Sequence, residues 1–494
     1  MPTEHSASLP RFRFDPADMD SIKRNLANRE DAADLPELPL DRVESGTDAL
    51  DALPQLLRDL AVNGSTAVLV VQDRRPFVRN GVDLKPFVHE QLKQAGFDVE
   101  VLEVGDETGF LHSDFSEVEE IRPYIRANRT AVALGSGKIC DVTKHACFEH
   151  EKETGEHIPF VVIQTANSVI AFGSGMATIS KDGVKRTWTS RLPDTLVLDS
   201  PILRDAPFEY TVGGVGDLAV IAVSFADWYL GAEFGQAKYT PAAYDIIEDV
   251  RNLLFSQELA NEFGARSLVG MAALAKLGVL GGFSMTLARQ SSPMSGYEHA
   301  VSHMLDMSAE YNGRPIASHG CQCGISTILC AIAWQKLLDT FDPAQVNLDA
   351  CYPTTEAMEQ RVRATFDEID PSGAMANECW DSYKQKLDIW HRERPRLEAF
   401  LRNWKQQQAH LRSLVDTPEN VVESLARAKH PLHYEDLGIS EAQARWAFQN
   451  GHLMRNRFYW ADLLYYLGIL DHAFVDDVFA QMHRLVDAVQ ATSK

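Results

Sequence analysis

Between about residue 41 and residue 205, short apolar runs alternate with stretches of helical spacing. TAVLVVQD (66–73) is apolar and β-branched almost throughout, the pattern of a strand buried on both faces. LKPFVHEQLKQAGF (84–97) has helical spacing and stops at Gly96, and DVEVLEV (98–104) reads as a second strand. SEVEEIRPYIRAN (116–128) predicts a helix, TAVALGSG (130–137) a third strand entering a glycine turn, and PFVVIQT (159–165) a fourth strand. TLVLDS (195–200) is a short fifth strand before Pro201. Strands separated by helices of this length need parallel crossovers, which predicts a doubly wound, Rossmann-like α/β domain over 41–205. From 206 to 494 the periodic segments are all helical, so an all-α C-terminal domain follows. The first 40 residues, rich in Asp, Pro and Leu, read as a loosely packed N-terminal arm. An α/β half followed by a helical half places the chemistry in the cleft between them.

Composition narrows the function. The chain has 494 residues, enough for roughly two or three domains. Its formal net charge of −23 argues against nucleic acid, which needs clustered Lys and Arg to neutralise phosphates. A phosphorylated small molecule stays compatible, because a few local cations suffice to hold one. No uninterrupted run of eighteen apolar residues occurs, so no membrane span is expected, and the polar, proline-broken start carries no apolar signal core. Cys140, Cys147, Cys321, Cys323, Cys330, Cys351 and Cys379 are an odd set in a large chain and read as reduced thiols of a cytoplasmic protein. The many apolar helix faces imply a homo-oligomer.

Two regions carry candidate chemistry. In AVALGSGKICDVTK, Gly135 and Gly137 end a strand just before a helix, where the backbone can approach a pyrophosphate. The full six-residue dinucleotide fingerprint is absent. A phosphate-binding P-loop fails too, because Ile139 stands where Ser or Thr would be needed; a plain tight turn fits equally well. In the helical half, VGGVGDLAV, SGYEHAVSHMLDM and ASHGCQCGISTI present Asp217, His299, His303 and His319. His299 and His303 are four apart and share one helical face. One carboxylate and two imidazoles from separate elements would make a divalent-metal site with an open position. A helix cap and an N-terminal helix charge explain the same residues equally well. The zinc-protease motif is missing, since Ala300 stands where its Glu would be.

These segments together resemble the superfamily of iron- or zinc-dependent polyol dehydrogenases, glycerol-1-phosphate dehydrogenase and dehydroquinate synthase. LGSGKICDVTK resembles its Gly-Gly-Gly-Thr-x-x-Asp-x-x-Lys cofactor turn, and PFVVIQTANS its Pro-Thr strand. VGGVGDLAV is similar to the Gly-Phe-Gly-Asp motif of the glycerol-1-phosphate branch. SGYEHAVSHML is similar to that branch's Ser-Gly-x-Glu-His-x-x-Ser-His, and SHGCQCG to its His-Gly-Glu-x-Val-Gly. DLGISEAQARWAFQNGHLMRNRFYWADLLYYLG resembles its closing helices. The resemblance implies a dehydroquinate synthase-like fold, with 41–205 binding the dinucleotide and 206–494 the metal and substrate. It implies that Asp217, His299 and His319 bind one divalent metal, zinc foremost with iron or nickel also accommodated. His303 would assist proton transfer. Gly135, Gly137 and Asp141 would hold the diphosphate and ribose of NAD or NADP, with Thr165 nearby and Asp73 a candidate for the adenosine ribose. The acids of VGDETG (104–109) tilt the choice towards NAD.

The implied activity is an NAD(P)-linked dehydrogenase interconverting a hydroxyl and a carbonyl on a small polyol or polyol phosphate. Two alternatives stand beside it: a sugar-phosphate cyclase or lyase resembling dehydroquinate synthase, and a non-catalytic nucleotide-binding descendant. Three features depart from the family pattern. SVIAFGSG (168–175) offers no carboxylate where the family has an Asp contacting substrate, Cys321 replaces a Glu, and 331–433 is enlarged and rich in Trp, Arg and Gln. Candidate phosphate-holding cations are Lys144, Lys181, Lys185, Arg186, Arg455 and Arg457.

Overall fold

The computed structural model describes residues 11–106, 111, 113–181 and 184–492. Its strands, in chain order, are β1 (Arg42–Gly46), β2 (Ala67–Gln72), β3 (Val78–Arg79), β4 (Val82–Asp83) and β5 (Asp98–Glu103). They continue with β6 (Thr130–Gly135), β7 (Phe160–Gln164), β8 (Met176–Lys181), β9 (Val184–Thr189) and β10 (Thr195–Asp199). Six of them form one sheet in the order β1-β10-β7-β6-β2-β5, with every neighbouring pair parallel. β3 with β4 and β8 with β9 form two small antiparallel ribbons. The five expected strands are β2, β5, β6, β7 and β10. The edge strand β1, RVESG, was not expected; with only Val43 buried it lacks an apolar run to signal it.

The chain divides into two compact units. One takes the chain up to Leu218 together with Ala242–Ser291; the other takes Ala219–Pro241 and the chain from Ser292 onward. In the first, Val68, Val70, Val132, Leu134, Val161 and Ile163 make the centre of the sheet, and Leu84, Val88 and Leu92 of the helix Leu84–Gln94 pack on them. Burying each such side chain contributes roughly 1.5–3 kcal/mol. The helix Leu268–Ala288 also belongs to this unit and approaches the turn Ile170–Gly173 backbone to backbone. A Cβ on Gly282 would stand 2.2 Å from the Gly173 carbonyl carbon, so only glycine permits this approach.

The described part of the arm is not loose. Met19–Ala27 is a helix with Met19 and Ile22 buried, and Phe12 and Phe14 are buried as well. Asp15 pairs with Lys276 at 2.8 Å, and Arg29 with Asp245. The segment is short and acidic, which hid its apolar anchors from a reading by composition.

The second unit is helical. Its longer helices include Tyr297–Tyr311, His319–Thr340, Thr355–Asp367, Ala374–Arg392 and His472–Thr492. The periodic stretch 380–415 is broken into three pieces, with new helices at Arg394–Arg402 and Trp404–Leu414. Pro395, in the first turn of the middle piece, has no N–H to continue the preceding ladder. Among the described residues, three helical stretches reach the length and apolarity of a membrane span although charged or polar residues interrupt their apolar runs: Phe208–Glu233, Leu268–Ala288 and His319–Thr340. Between 83% and 89% of their apolar windows are buried within the protein, as helices of an interior are.

Candidate functional site

The glycine turn lies where β6 ends and the helix Gly137–Thr154 begins. Ser136 occupies the cap position with extended backbone and makes no side-chain cap, so the amides of the first turn point outward with the positive end of the helix dipole. A Cβ on Gly137 would stand 2.3 Å from Val169 Cγ2, so any side chain there would have to push the next loop aside. The Thr165 backbone N–H donates to the Gly135 carbonyl at 3.2 Å, tying the ends of β7 and β6 together. The Thr165 hydroxyl is fully buried with no protein partner. A small hollow near this turn is lined by Gln164, Asn167, Val169, Ile170 and Gly214 among others. An uncapped helix start, a glycine packed against the next loop and an orphaned hydroxyl fit a dinucleotide diphosphate.

Other expected cofactor residues are held by protein groups. Asp73 is buried, and its carboxylate accepts from Lys85 Nζ at 2.7 Å. Asp141 pairs with Lys144 Nζ at 2.9 Å and accepts from the Thr178 N–H at 3.0 Å, fastening the helix to β8. Lys144 is fully buried and also donates to the carbonyls of Ala171, Ser174 and Met176. An ammonium with three hydrogens so occupied holds the loop, not a substrate phosphate. Lys181 rests over the Phe115 ring at 4.4 Å, Arg186 is exposed, and Arg457 donates to the Ser295 carbonyl at 2.6 Å. The Lys185 side chain and Glu107, Thr108 and Gly109 of the VGDETG segment lie outside the described residues.

Asp217 lies in the helix Phe208–Ala219. It is not at the helix start, as expected, but in the last turn before the helix tightens at Val220–Ala222 and runs on as Ser224–Glu233. The residue is buried, and its Oδ2 accepts from the Ile170 N–H at 3.0 Å. The glycine cluster before it has a packing cause: a Cβ on Gly214 would stand 2.0 Å from the Asn167 carbonyl oxygen.

In the second unit the three histidines converge. The His299 and His303 rings are 6.3 Å apart between centroids on the helix Tyr297–Tyr311. His319 opens the helix His319–Thr340 and lies 5.1 Å from His299 and 5.3 Å from His303. His299 Nδ1 is 3.1 Å from Glu298 Oε1, and His319 Nδ1 is hydrogen-bonded to Ser302 Oγ at 2.9 Å. With Nδ1 of each ring occupied by a side chain of its own helix or its neighbour, Nε2 is the nitrogen left to each imidazole for a metal. Ligand atoms of His299, His319 and Cys323 lie within 4.8 Å of one another, as do those of His303, Asp306 and His319. Asp306 is itself held by Gln322 Nε2 at 2.8 Å. Imidazoles oriented in this way are donors suited to a borderline-soft divalent cation.

Asp227 sets the entrance of the histidine helix. Its Oδ2 accepts from the Tyr297 N–H at 2.8 Å and its Oδ1 from the Trp460 N–H at 2.6 Å, so one carboxyl caps two helices. Burial, with the Glu298 charge adding, raises this carboxyl well above the usual range. Glu298, Ser302 and Asp306 were not expected as site residues, and Cys323, paired with Cys321 but lacking the second pair of a structural zinc cluster, reads from the sequence as a small apolar residue near a helix start. Their signal was present: 299, 302, 303 and 306 share one helical face, and Cys323 is one turn beyond His319.

A six-stranded parallel sheet in one unit and clustered imidazoles in a helical unit are the features of a dehydroquinate synthase-like fold. The comparisons agree. Residues 44–207 match the model of the iron-containing alcohol dehydrogenase family. The glycerol-1-phosphate dehydrogenase [NAD(P)+] of Pyrococcus furiosus is 31% identical over 290 residues, covering 56% of this chain and 75% of the relative. The protein of the same name from Bacillus subtilis is 26% identical over 367 residues, covering 71% and 90%. The structure of a probable glycerol dehydrogenase from Sinorhizobium meliloti shares the fold, with a TM-score of 0.53 at 17% identity, covering 91% of this chain and 98% of that one. The chain belongs to the iron-containing alcohol dehydrogenase family, in its glycerol-1-phosphate dehydrogenase branch.

Proposed function

We propose that this protein is an NAD(P)-linked, metal-dependent dehydrogenase that interconverts a hydroxyl and a carbonyl on a small polyol phosphate. The observation that carries this reading is the group of three imidazoles, two with Nδ1 engaged, in a chain of this family. The α/β domain 41–205 takes the dinucleotide at Gly135, Gly137 and Thr165, with Asp141 steadying the turn and Asp73 fixed by Lys85 at the end of β2. The domain 206–494 takes metal and substrate. His299 and His319 would hold the metal, and Asp217 would be its carboxylate ligand. The support for Asp217 is the Gly-Gly-Val-Gly-Asp match and a buried position.

A divalent ion bound there supplies Lewis acidity, which lowers the pKa of a substrate hydroxyl or stabilises charge on a carbonyl oxygen. The chain's own residues do the rest. His303 stands one helical turn beyond His299 and would take the hydroxyl proton at a ring nitrogen, while NAD(P) held at the Gly135 and Gly137 turn would supply the hydride acceptor. Asp306, with a carboxylate oxygen within 4.8 Å of His303, steadies the resulting imidazolium. In the reverse direction His303 returns the proton.

The test mixes the protein, a divalent metal and NADH or NADPH with dihydroxyacetone phosphate and related keto compounds. The expected result is loss of the reduced-cofactor absorbance matched by hydroxyl product. Product formed with the cofactor returned unchanged would replace this reading with a cyclase.

A further inference from the structure

We propose that Cys323 is a thiolate ligand to the metal held by His299 and His319. The inference rests on the metal site above and goes beyond it, since the resembling pattern His-Gly-Glu-x-Val-Gly places a valine at this position; with Asp217, His299 and His319 the thiolate would make four protein ligands, and a substrate oxygen would join as a fifth. Cys323 is fully buried, and its Sγ stands 3.7 Å from His319 Nε2. Ligand atoms of His299, His319 and Cys323 fall within 4.8 Å of one another. A sulfur about 2.3 Å and a nitrogen about 2.05 Å from one zinc, at a tetrahedral angle, lie about 3.6 Å apart. The observed separation is that of two ligands sharing an ion.

The placement follows from the helix. His319 and Cys323 are four apart in His319–Thr340 and so share a face. Cys321, two residues away, cannot point the same way. A protonated Cys323 would direct its S–H at His319 Nε2 and consume the lone pair that His319 gives the metal. Binding removes the conflict: the S–H bond breaks, its proton goes to solvent, and the sulfur bonds to the ion in its place. A thiolate among imidazoles also shifts preference towards zinc, cobalt and cadmium and away from magnesium.

The full-length protein, stripped with a chelator and reloaded with Co²⁺, tests this by its spectrum. Ligand-field bands in the visible report cobalt bound, and an intense near-ultraviolet sulfur-to-cobalt band reports a thiolate ligand. Wild type is expected to show both. C323V and C323S are each expected to keep bound cobalt and lose the sulfur band, whereas C321A keeps it. Bound cobalt without the sulfur band in wild type, or the band surviving in C323V, overturns the proposal and leaves the metal site standing. If wild type binds no cobalt at all, the metal site itself falls, and the proposal with it.

Discussion

Glu298 Oε1 stands 3.1 Å from Nδ1 of the next residue, His299, while also accepting from the Gly296 N–H, so one buried carboxylate fixes both the start of the helix and the ring of a candidate ligand. Glu298→Gln keeps an acceptor for Gly296 but removes the charge behind the imidazole. The expected outcome is a metal dissociation constant raised about 10- to 100-fold with the fold intact. Titration against a competing chelator checks it; an unchanged constant would remove Glu298 from the site.

His303→Ala separates the proton path from the metal. Turnover should fall by roughly 10²–10⁴, while metal content by elemental analysis stays at the wild-type level. The limb of the pH–rate profile that reports a histidine should disappear with it. Loss of metal in this variant would instead make His303 a ligand.

Gly137→Ala places a methyl 2.3 Å from Val169 Cγ2 at the cofactor turn. Relief of that clash costs about 1–3 kcal/mol and moves the first helical turn. The expected result is about tenfold weaker binding of NADH or NADPH in a fluorescence titration, since 1.4 kcal/mol corresponds to a factor of ten. Unaltered binding would show that the turn does not meet the cofactor.

Lys386 is fully buried and donates to the His452 carbonyl at 2.6 Å, the Arg457 carbonyl at 3.1 Å and the Asp462 carboxylate at 2.9 Å. Burial pulls its pKa down and Asp462 opposes the fall, so the pair survives as an internal clamp. Lys386→Met leaves the Asp462 charge buried and uncompensated. Denaturant unfolding should register a loss of about 3–5 kcal/mol; a change below about 1 kcal/mol would mean that the clamp is idle.

Acid should weaken the fold through His452, whose pKa burial pushes down to about 4 although its Nδ1 lies 3.0 Å from Asp462. In the unfolded chain this imidazole takes a proton below about pH 6.5, and in the folded chain only below about 4. Stability is therefore fully present above 6.5 and falls with pH across that window, by at most about 1.4 kcal/mol per pH unit from this residue. Comparing wild type with His452→Gln from pH 7 to 4 isolates the effect. Parallel stability curves would show that His452 is not the titrating group.

Much of the architecture was legible because its signals are local. The runs that became β2, β6, β7 and β10 are apolar on both faces, and such runs alternating with helical segments point to a covered parallel sheet. β1 and the helix Met19–Ala27 were missed because one is an edge strand and the other a short acidic segment, each held by a few apolar contacts.

The sequence alone determined that His299 and His303 share a helical face and that Gly135 and Gly137 end a strand before a helix, because helical and strand periods act over a few residues. Only the tertiary structure decided that His319 meets them, that Ser302 and Glu298 hold two imidazoles by Nδ1, and that Lys144 and Lys85 hold Asp141 and Asp73. It also returned Ala242–Ser291 to the unit of the α/β sheet. Lys144 shows the reason: nothing local marks a lysine as interior, and only the carbonyls of a loop some thirty residues later, brought over it by folding, replace the water its charge gives up.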